Sequence, residues 1–247
     1  MDKLIKRAAH DLANAGNVAA LTGAGISVES GIPPFRGKGG LWEKIDPMEF
    51  AHIDTFMRDP AKVWDVLLRD MKKIIDTAKP NAAHIGLAKL EAIKKLNTII
   101  TQNVDGLHQI AGNTDVIEFH GNFAWQKCMD CGSRCATGKL DLSRIPPKCE
   151  CGGMFRPECV FFGEMIPPDY LARSQQAASR CDVMLVIGTS AVVQPASYMP
   201  VIAKKNGAVI IEINPETTPL TGQISDYLIK GKAGNIISDI LAAMEKG

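Results

Sequence analysis

Four cysteines crowd into two tight pairs, Cys128-x-x-Cys131 and Cys149-x-Cys151, and that spacing is a metal-binding pattern. Thiolates are soft ligands, and two such knuckles close a tetrahedral coordination sphere around zinc. With four protein ligands the ion has no open position for water, so its expected work is to hold the surrounding fold rather than to catalyse. Gly132, Gly152 and Gly153 follow the knuckles as turn formers. The second knuckle has one spacer residue instead of the usual two, which leaves Cys135 as an alternative ligand. Cys159 and Cys181 read as small buried hydrophobes. Seven cysteines are an odd number, and their clustering fits metal ligation in a reducing compartment better than a disulfide framework.

Two further groups of residues carry chemistry. Gly23-Ala-Gly25 leaves an apolar run and enters a helical stretch, where glycines let backbone N–H groups approach a pyrophosphate at a helix N-terminus. An ordinary strand-to-helix turn would look the same. The standard dinucleotide fingerprint puts a third glycine where this chain has Val28, and its acidic residue roughly 20 positions on is not evident. No Gly-x-x-x-x-Gly-Lys-Ser/Thr stretch occurs, which argues against nucleoside triphosphate chemistry. The third group is Thr101-Gln-Asn-Val-Asp-Gly-Leu-His108 with Glu118-Phe-His-Gly121. Each follows or ends a strand-like run, so Gln102, Asn103, Asp105 and His120 are expected at one sheet edge. Histidine titrates near neutrality and suits a general base, although a lone histidine is commonly structural.

The elements that must position these groups are legible from periodicity. Leu4, Ile5, Ala8, Ala9 and Leu12 have helical spacing, ended by Gly16-Asn17. Short apolar runs at 18–21, 98–100, 116–119, 183–187 and 209–213, with a weaker one at 227–229, are separated by helix-length stretches such as 82–95, 170–178 and 195–205. Short non-alternating strands between helices predict an α/β fold with a parallel sheet covered on both faces. Ligands bind such sheets beyond the carboxyl ends of the strands. Two regions interrupt the alternation: 35–77 shows loop and helix but no convincing strand, and 121–156 carries the cysteine pairs. Both read as insertions at the rim that roof the site.

At 247 residues, 46% of them hydrophobic, the chain can bury a full core. Lys and Arg number 28 against 27 Asp and Glu, and a net charge of +1 supplies no field to draw in nucleic acid or an acidic membrane. No apolar run approaches the ~18 residues of a membrane span, and a soluble, cytoplasmic protein is expected.

Gly23-Ala-Gly-Ile-Ser27, Gly31-Ile-Pro-Pro-Phe-Arg36, Thr101-Gln-Asn-Val-Asp105, Phe119-His-Gly121, Phe162-Gly-Glu164, Gly188-Thr-Ser190 and Ile213-Asn-Pro-Glu216 occur in this order. Together they resemble the sirtuins, the NAD-dependent protein deacylases, over nearly the whole chain. Sirtuins use Gly-Ala-Gly-x-Ser without the third fingerprint glycine, so the resemblance also accounts for Val28. It implies a Rossmann-like NAD-binding domain from 1–36, 79–120 and 157–247, a cofactor loop and helical insertion at 37–78, and a small zinc-binding domain at 121–156.

The same resemblance implies roles. Gly23, Ala24, Gly25 and Ser27 would line the pyrophosphate, and Phe35 and Arg36 would lie in a mobile loop over NAD. Gln102, Asn103 and Asp105 would hold the nicotinamide ribose and carboxamide. Gly188, Thr189 and Ser190 would sit by the phosphates and adenosine ribose, and Asn214, Glu216 and Ala233 by the adenosine half. Val160, Phe161, Phe162, Gly163 and Glu164 would form one edge of a groove in which the substrate peptide adds as a strand, and Val192, Val193, Gln194 and Pro195 the other. A simple core position is the lesser alternative for Phe161 and Phe162. Zinc would sit on Cys128, Cys131, Cys149 and Cys151.

In the implied reaction the acyl oxygen of a modified lysine attacks the nicotinamide ribose at C1′ and releases nicotinamide. His120, with Asn103 beside it, then serves as general base for a ribose hydroxyl. The products are lysine, nicotinamide and O-acyl-ADP-ribose. A mono-ADP-ribosyltransferase and a non-catalytic NAD-sensing module are the competing readings on this scaffold, and His120 with Asn103 argues against the second. Two departures stand out. Pro34 replaces the Asp or Thr common in sirtuins, and Leu67 and Asp70 occupy the Tyr and Arg positions of members that remove succinyl groups.

Overall fold

The computed structural model describes residues 1–35, 40–43 and 45–245. Among these residues nine strands form two sheets: β1 (Val18–Thr22), β2 (Thr98–Thr101), β3 (Val116–Glu118), β4 (Gly121–Cys128), β5 (Arg134–Ala136), β6 (Phe155–Cys159), β7 (Val183–Ile187), β8 (Val209–Asn214) and β9 (Tyr227–Lys230). The larger sheet is parallel throughout and runs β3-β2-β1-β7-β8-β9. With the small sheet left out, this is the Rossmann-type strand order.

The strands lack alternation because both faces are covered. All five residues of β7 are buried, and they divide by parity. Val183, Leu185 and Ile187 pack with Ile5, Leu12, Leu87 and Ile237 of the helices Asp2–Asn14, Ala82–Ala92 and Ala233–Met244. Met184 and Val186 pack with Ala178, Met199 and Ala203 of the helices Pro168–Arg180 and Met199–Lys205. The expected helix over 195–205 is α-helical only from Met199, after a 3₁₀ turn at Ala196–Tyr198. Proline is tolerated in a helix only in the first turn, so the α-helix starts where Pro200 falls there. Likewise the glycine turn leads into a 3₁₀ helix, Ala24–Ser30, rather than an α-helix, and Gly31 ends it with φ +87°.

The cysteine region holds a three-stranded antiparallel sheet, β5-β4-β6, that periodicity did not reveal. Its pairing register shifts between Gly121 and Gln126, so buried Phe123, Gln126 and Cys128 do not keep a period of two. The boundary expected at 156 cuts through β6, which runs on to Cys159. Within 40–77 short helices follow one another from Pro47 to Thr77, three of them capped by Asp46, His52 and Asp59. The two insertions share one apolar core: Phe56, Trp64, Leu67 and Leu68 pack with Phe123 and Phe161. The Trp64 indole also donates to the Phe155 carbonyl of β6 at 3.1 Å. Among the described residues no helix is long and apolar enough to cross a membrane.

Candidate active site and zinc centre

The strand order reverses between β1 and β7, and a crevice opens beyond their carboxyl ends. There the Gly23 amide donates to the Ile187 carbonyl at 3.0 Å and the Gly25 amide to the Gly188 carbonyl at 2.7 Å. A Cβ on Gly25 would lie 2.6 Å from the Gly188 Cα, and one on Gly188, whose φ is +60°, would lie 2.3 Å from the Ile26 nitrogen. Only glycine fits where two backbones touch. These glycines therefore serve close packing first, since the Gly23 and Gly25 amides expected to face a pyrophosphate are bonded to the neighbouring strand.

Behind the crevice lies a connected polar cluster. The Asn103 amide donates to the Gly23 carbonyl and to the Ser27 hydroxyl, both at 3.1 Å, and Ser27 donates to Asp105 at 2.7 Å. All three side chains are buried. Burial pushes the Asp105 carboxyl up, partly offset by the Leu107 amide and the Ser27 hydroxyl. Gln102 donates to the Thr189 hydroxyl at 3.0 Å and Asn214 to the Thr189 carbonyl at 3.2 Å, so Thr189 ties together the ends of β2, β7 and β8. His120 is half-buried, with Nδ1 3.0 Å from the Gln102 carbonyl oxygen. A carbonyl only accepts, so the proton sits on Nδ1 and the Nε2 lone pair is left over. Burial lowers the His120 pKa, and the Gln102 carbonyl works against that.

A continuous cleft of about 1180 Å³ runs along this edge. Gly23, Ala24, Gly25, Phe35, Gln102, Asn103, His120, Gly188, Thr189, Ser190, Asn214, Glu216 and Ala233 line it. Ser27 and Asp105 instead line an adjoining cavity of about 290 Å³ that shares Ala24, Phe35 and Asn103 with the cleft. Arg36 lies outside the described residues. Val160 to Glu164, Val193 and Gln194 also line the cleft, whereas Val192 is exposed and off its wall. Sequence reasoning missed Met71, Ile166, Leu171, Thr217, Thr218 and Lys232, which lie outside the motifs.

Two expected groove contacts are already committed. The Phe162 amide donates to the Ala51 carbonyl and the Phe162 carbonyl accepts from Ile53, both at 2.9 Å, so its backbone pairs with the helical insertion. Arg156 donates to both Glu164 oxygens at 2.7 Å, and Glu164 also accepts the Phe161 amide at 2.9 Å. Burial pushes the Glu164 carboxyl up, but Arg156 overrides this and holds it below the usual carboxylate range. Glu164 thus shapes the loop from inside. Phe161 belongs to both readings, packed 5.1 Å from Phe56 in the core and present in the cleft wall.

At the far side of the small sheet the Sγ atoms of Cys128, Cys131, Cys149 and Cys151 lie within 4.8 Å of one another. Cys128 to Cys151 is 3.6 Å and Cys131 to Cys149 is 3.7 Å. A tetrahedron with zinc–sulfur bonds of ~2.3 Å has edges of about 3.8 Å, so the donor set fits zinc. Cys135 is outside the cluster, its thiol 3.5 Å from the Ala136 carbonyl. No member opens onto the cleft, as expected for a structural ion.

Residues 23–195 match the model of the Sir2 family. The chain belongs to the Sir2 family. Among Sir2 relatives, the NAD-dependent protein deacylase 1 of Archaeoglobus fulgidus is 45% identical, covering 99% of this chain and 98% of the relative. The NAD-dependent protein deacylase of Pyrococcus furiosus is 44% identical, covering 95% and 96%. A Sir2 homologue solved as an NAD complex superposes with a TM-score of 0.89 at 44% identity, covering 100% of this chain and 94% of that one. A Sir2 complex with a p53 peptide and NAD+ superposes with a TM-score of 0.88 at 33% identity, covering 98% and 99%.

This Sir2 chain also buries two histidines under the polar cluster, His84 and the His108 that ends the Thr101–His108 stretch, and neither was given a role from sequence. His84 and His108 have ring centroids 4.9 Å apart. His84 closes the capping box of the helix Ala82–Ala92, and His108 lies 3.0 Å from the Thr22 hydroxyl. Burial lowers the His84 pKa to about 4. Burial, then repulsion from His84, lowers that of His108 to about 3, with Asn113 opposing. Between these values and 6.5 the unfolded chain binds protons that the native chain refuses, so stability falls as pH drops through that window. Urea unfolding at pH 7, 6 and 5 is expected to show a falling midpoint, with His108→Gln making the fall shallower. A slope identical in the variant would detach the effect from this pair.

Proposed function

We propose that this protein is an NAD-dependent protein lysine deacylase whose general base is His120. The observation that carries the reading is the fixed His120 tautomer, with Nδ1–H held by the Gln102 carbonyl on the wall of a switch-point cleft. NAD when bound supplies an ADP-ribosyl acceptor for the acyl group, and the products are nicotinamide, lysine and O-acyl-ADP-ribose. Gly188, Thr189, Ser190, Asn214, Glu216 and Ala233 would hold its adenosine and phosphate half with Gly23 to Gly25 and Ser27, and Gln102, Asn103 and Asp105 its nicotinamide riboside half. Phe35 and Arg36 would cover it.

His120 accepts a proton at Nε2, and its lowered pKa keeps that nitrogen unprotonated near neutral pH. Asn103, donating to Gly23 and Ser27, keeps the β1 turn and the Asp105 pocket in register. The acylated lysine enters between 160–164 and 193–195, and the Arg156–Glu164 pair sets the shape of the first edge. Its peptide adds at Gly163 rather than at Phe162, whose backbone is paired. Zinc on the four cysteines fixes the small sheet that delivers this edge through β6. We assign the NAD-binding domain to 1–36, 79–120 and the residues after β6, and the small domain to 121–159. Reduced thiols suit a cytoplasmic protein, and the near-zero net charge supports neither nucleic acid nor membrane as partner.

Leu67 and Met71 line the cleft and Asp70, ion-paired with Lys73, lines the adjoining cavity. An acyl carboxylate would meet apolar walls and an acid there, which favours acetyl or longer apolar acyl groups. Mass spectrometry of an acetyl-lysine peptide with and without NAD tests both claims. The expected result is O-acetyl-ADP-ribose equal to the lysine released, only with NAD, and a succinyl peptide turned over at least about tenfold more slowly. Equal acetyl and succinyl rates would overturn the acyl preference. NAD consumption without deacylation would point to ADP-ribosyl transfer.

A further inference from the structure

Side chains on β8 alternate between the two faces of the sheet. Ile211 and Ile213 join the core under the terminal helices, and Ile210, Glu212 and Asn214 point to the other side. Glu212 is 1% exposed. Among the described residues it has no cationic partner, and three hydroxyls satisfy it instead. Thr218 donates to Oε1 at 2.5 Å, and Thr221 and Ser225 donate to Oε2 at 2.7 and 3.1 Å.

The direction of these bonds is determined by the loop itself. The Thr218 oxygen accepts the Leu220 amide at 3.1 Å, and the Thr221 oxygen accepts the Thr218 amide at 3.0 Å. Their protons are therefore left to point at the carboxylate, an acceptor-only group. One buried acid thus gathers both ends of the loop that follows β8. The first half of that loop, Pro215 to Pro219, lines the cleft, as does Ala233 at the start of the Ala233–Met244 helix, and carries Glu216.

We infer that Glu212 is a positioning residue for the adenosine end of the dinucleotide site, an inference that rests on the NAD reading above. It touches neither ligand nor reacting atoms. It holds Glu216, Thr217 and Thr218 in place against β8, where Asn214 leaves the same face of the strand. A glutamine here keeps the shape but offers one acceptor oxygen to three donors and adds an N–H₂ facing hydroxyl groups.

Calorimetric titration with ADP-ribose reads the adenosine end without turnover, and steady-state kinetics separates the two substrates. For Glu212→Gln the dissociation constant for ADP-ribose and the KM for NAD are expected to rise about tenfold or more. The KM for an acetyl peptide and kcat at saturating NAD should stay within about twofold. Thr221→Val, which removes one donor outside the cleft wall, should weaken ADP-ribose in the same direction and serves if Glu212→Gln does not fold. Wild-type ADP-ribose affinity in these variants would overturn the inference and leave the deacylase reading standing. A joint rise of both KM values with a loss of kcat would make Glu212 merely structural. A wild-type protein that neither binds ADP-ribose nor deacylates would remove the NAD reading, and this inference with it.

Discussion

Replacing His120 with alanine is expected to cut turnover by about 10²–10⁴-fold, the range a positioned general base contributes, while fold and NAD affinity stay near wild type. The side chain is half-buried, and its one hydrogen bond among the described residues is to a backbone carbonyl at a strand end, so its loss leaves little cavity and one acceptor open to water. The pH dependence follows from the same geometry. Only the neutral ring can take a proton at Nε2, and burial lowers its pKa below the ordinary histidine value of about 6.5. The acid limb of the kcat/KM profile should therefore fall away below that value rather than at it, and the variant should lose the limb. Near-normal activity of His120→Ala would strip this residue of its role. Lost NAD binding would instead make it a structural support of the Gln102 turn.

Removing zinc should cost the enzyme both stability and activity, although the ion lies away from the cleft. Structural zinc contributes apparent binding energies of about 10–16 kcal/mol, delivered only to the folded state. Four thiolates brought within 4.8 Å would repel one another without it. The damage should spread, because Phe123 of β4 shares a core with Trp64, Leu67 and Phe161, and β6 leads directly into the cleft-lining segment proposed to face the peptide. Elemental analysis should find one zinc per chain, and chelation or Cys149→Ser should abolish deacylation and lower the unfolding temperature. Cys135→Ser should keep the ion, since its thiol bonds elsewhere. Full activity in the zinc-free protein would contradict this coupling, and zinc loss in Cys135→Ser would reopen the ligand set.

Much of this molecule is written in local residue pattern. Buried parallel strands need continuous apolar runs, so β1, β7 and β8 stand out without any tertiary information. The thiolate knuckles declare themselves because few other functions place cysteines so close together. The Gly-Ala-Gly turn and the Gln-Asn-Val-Asp segment could be assigned to one edge because strand ends in such a sheet share a side. What local pattern does not contain is contact between distant segments. The three-stranded sheet stayed hidden because its irregular pairing destroys the period. The union of the two insertions depends on Trp64 reaching Phe155 across the sequence. Glu164 reads as a residue of the groove edge until Arg156 folds onto both its oxygens, and Ser27 with Asp105 reads as cleft lining until packing draws them into a side cavity. Glycines 25 and 188 show the division most directly. Sequence alone determined that backbones could approach closely there, and only the tertiary structure decided that they approach each other, because steric exclusion at 2–3 Å depends on which segments the sheet order makes neighbours.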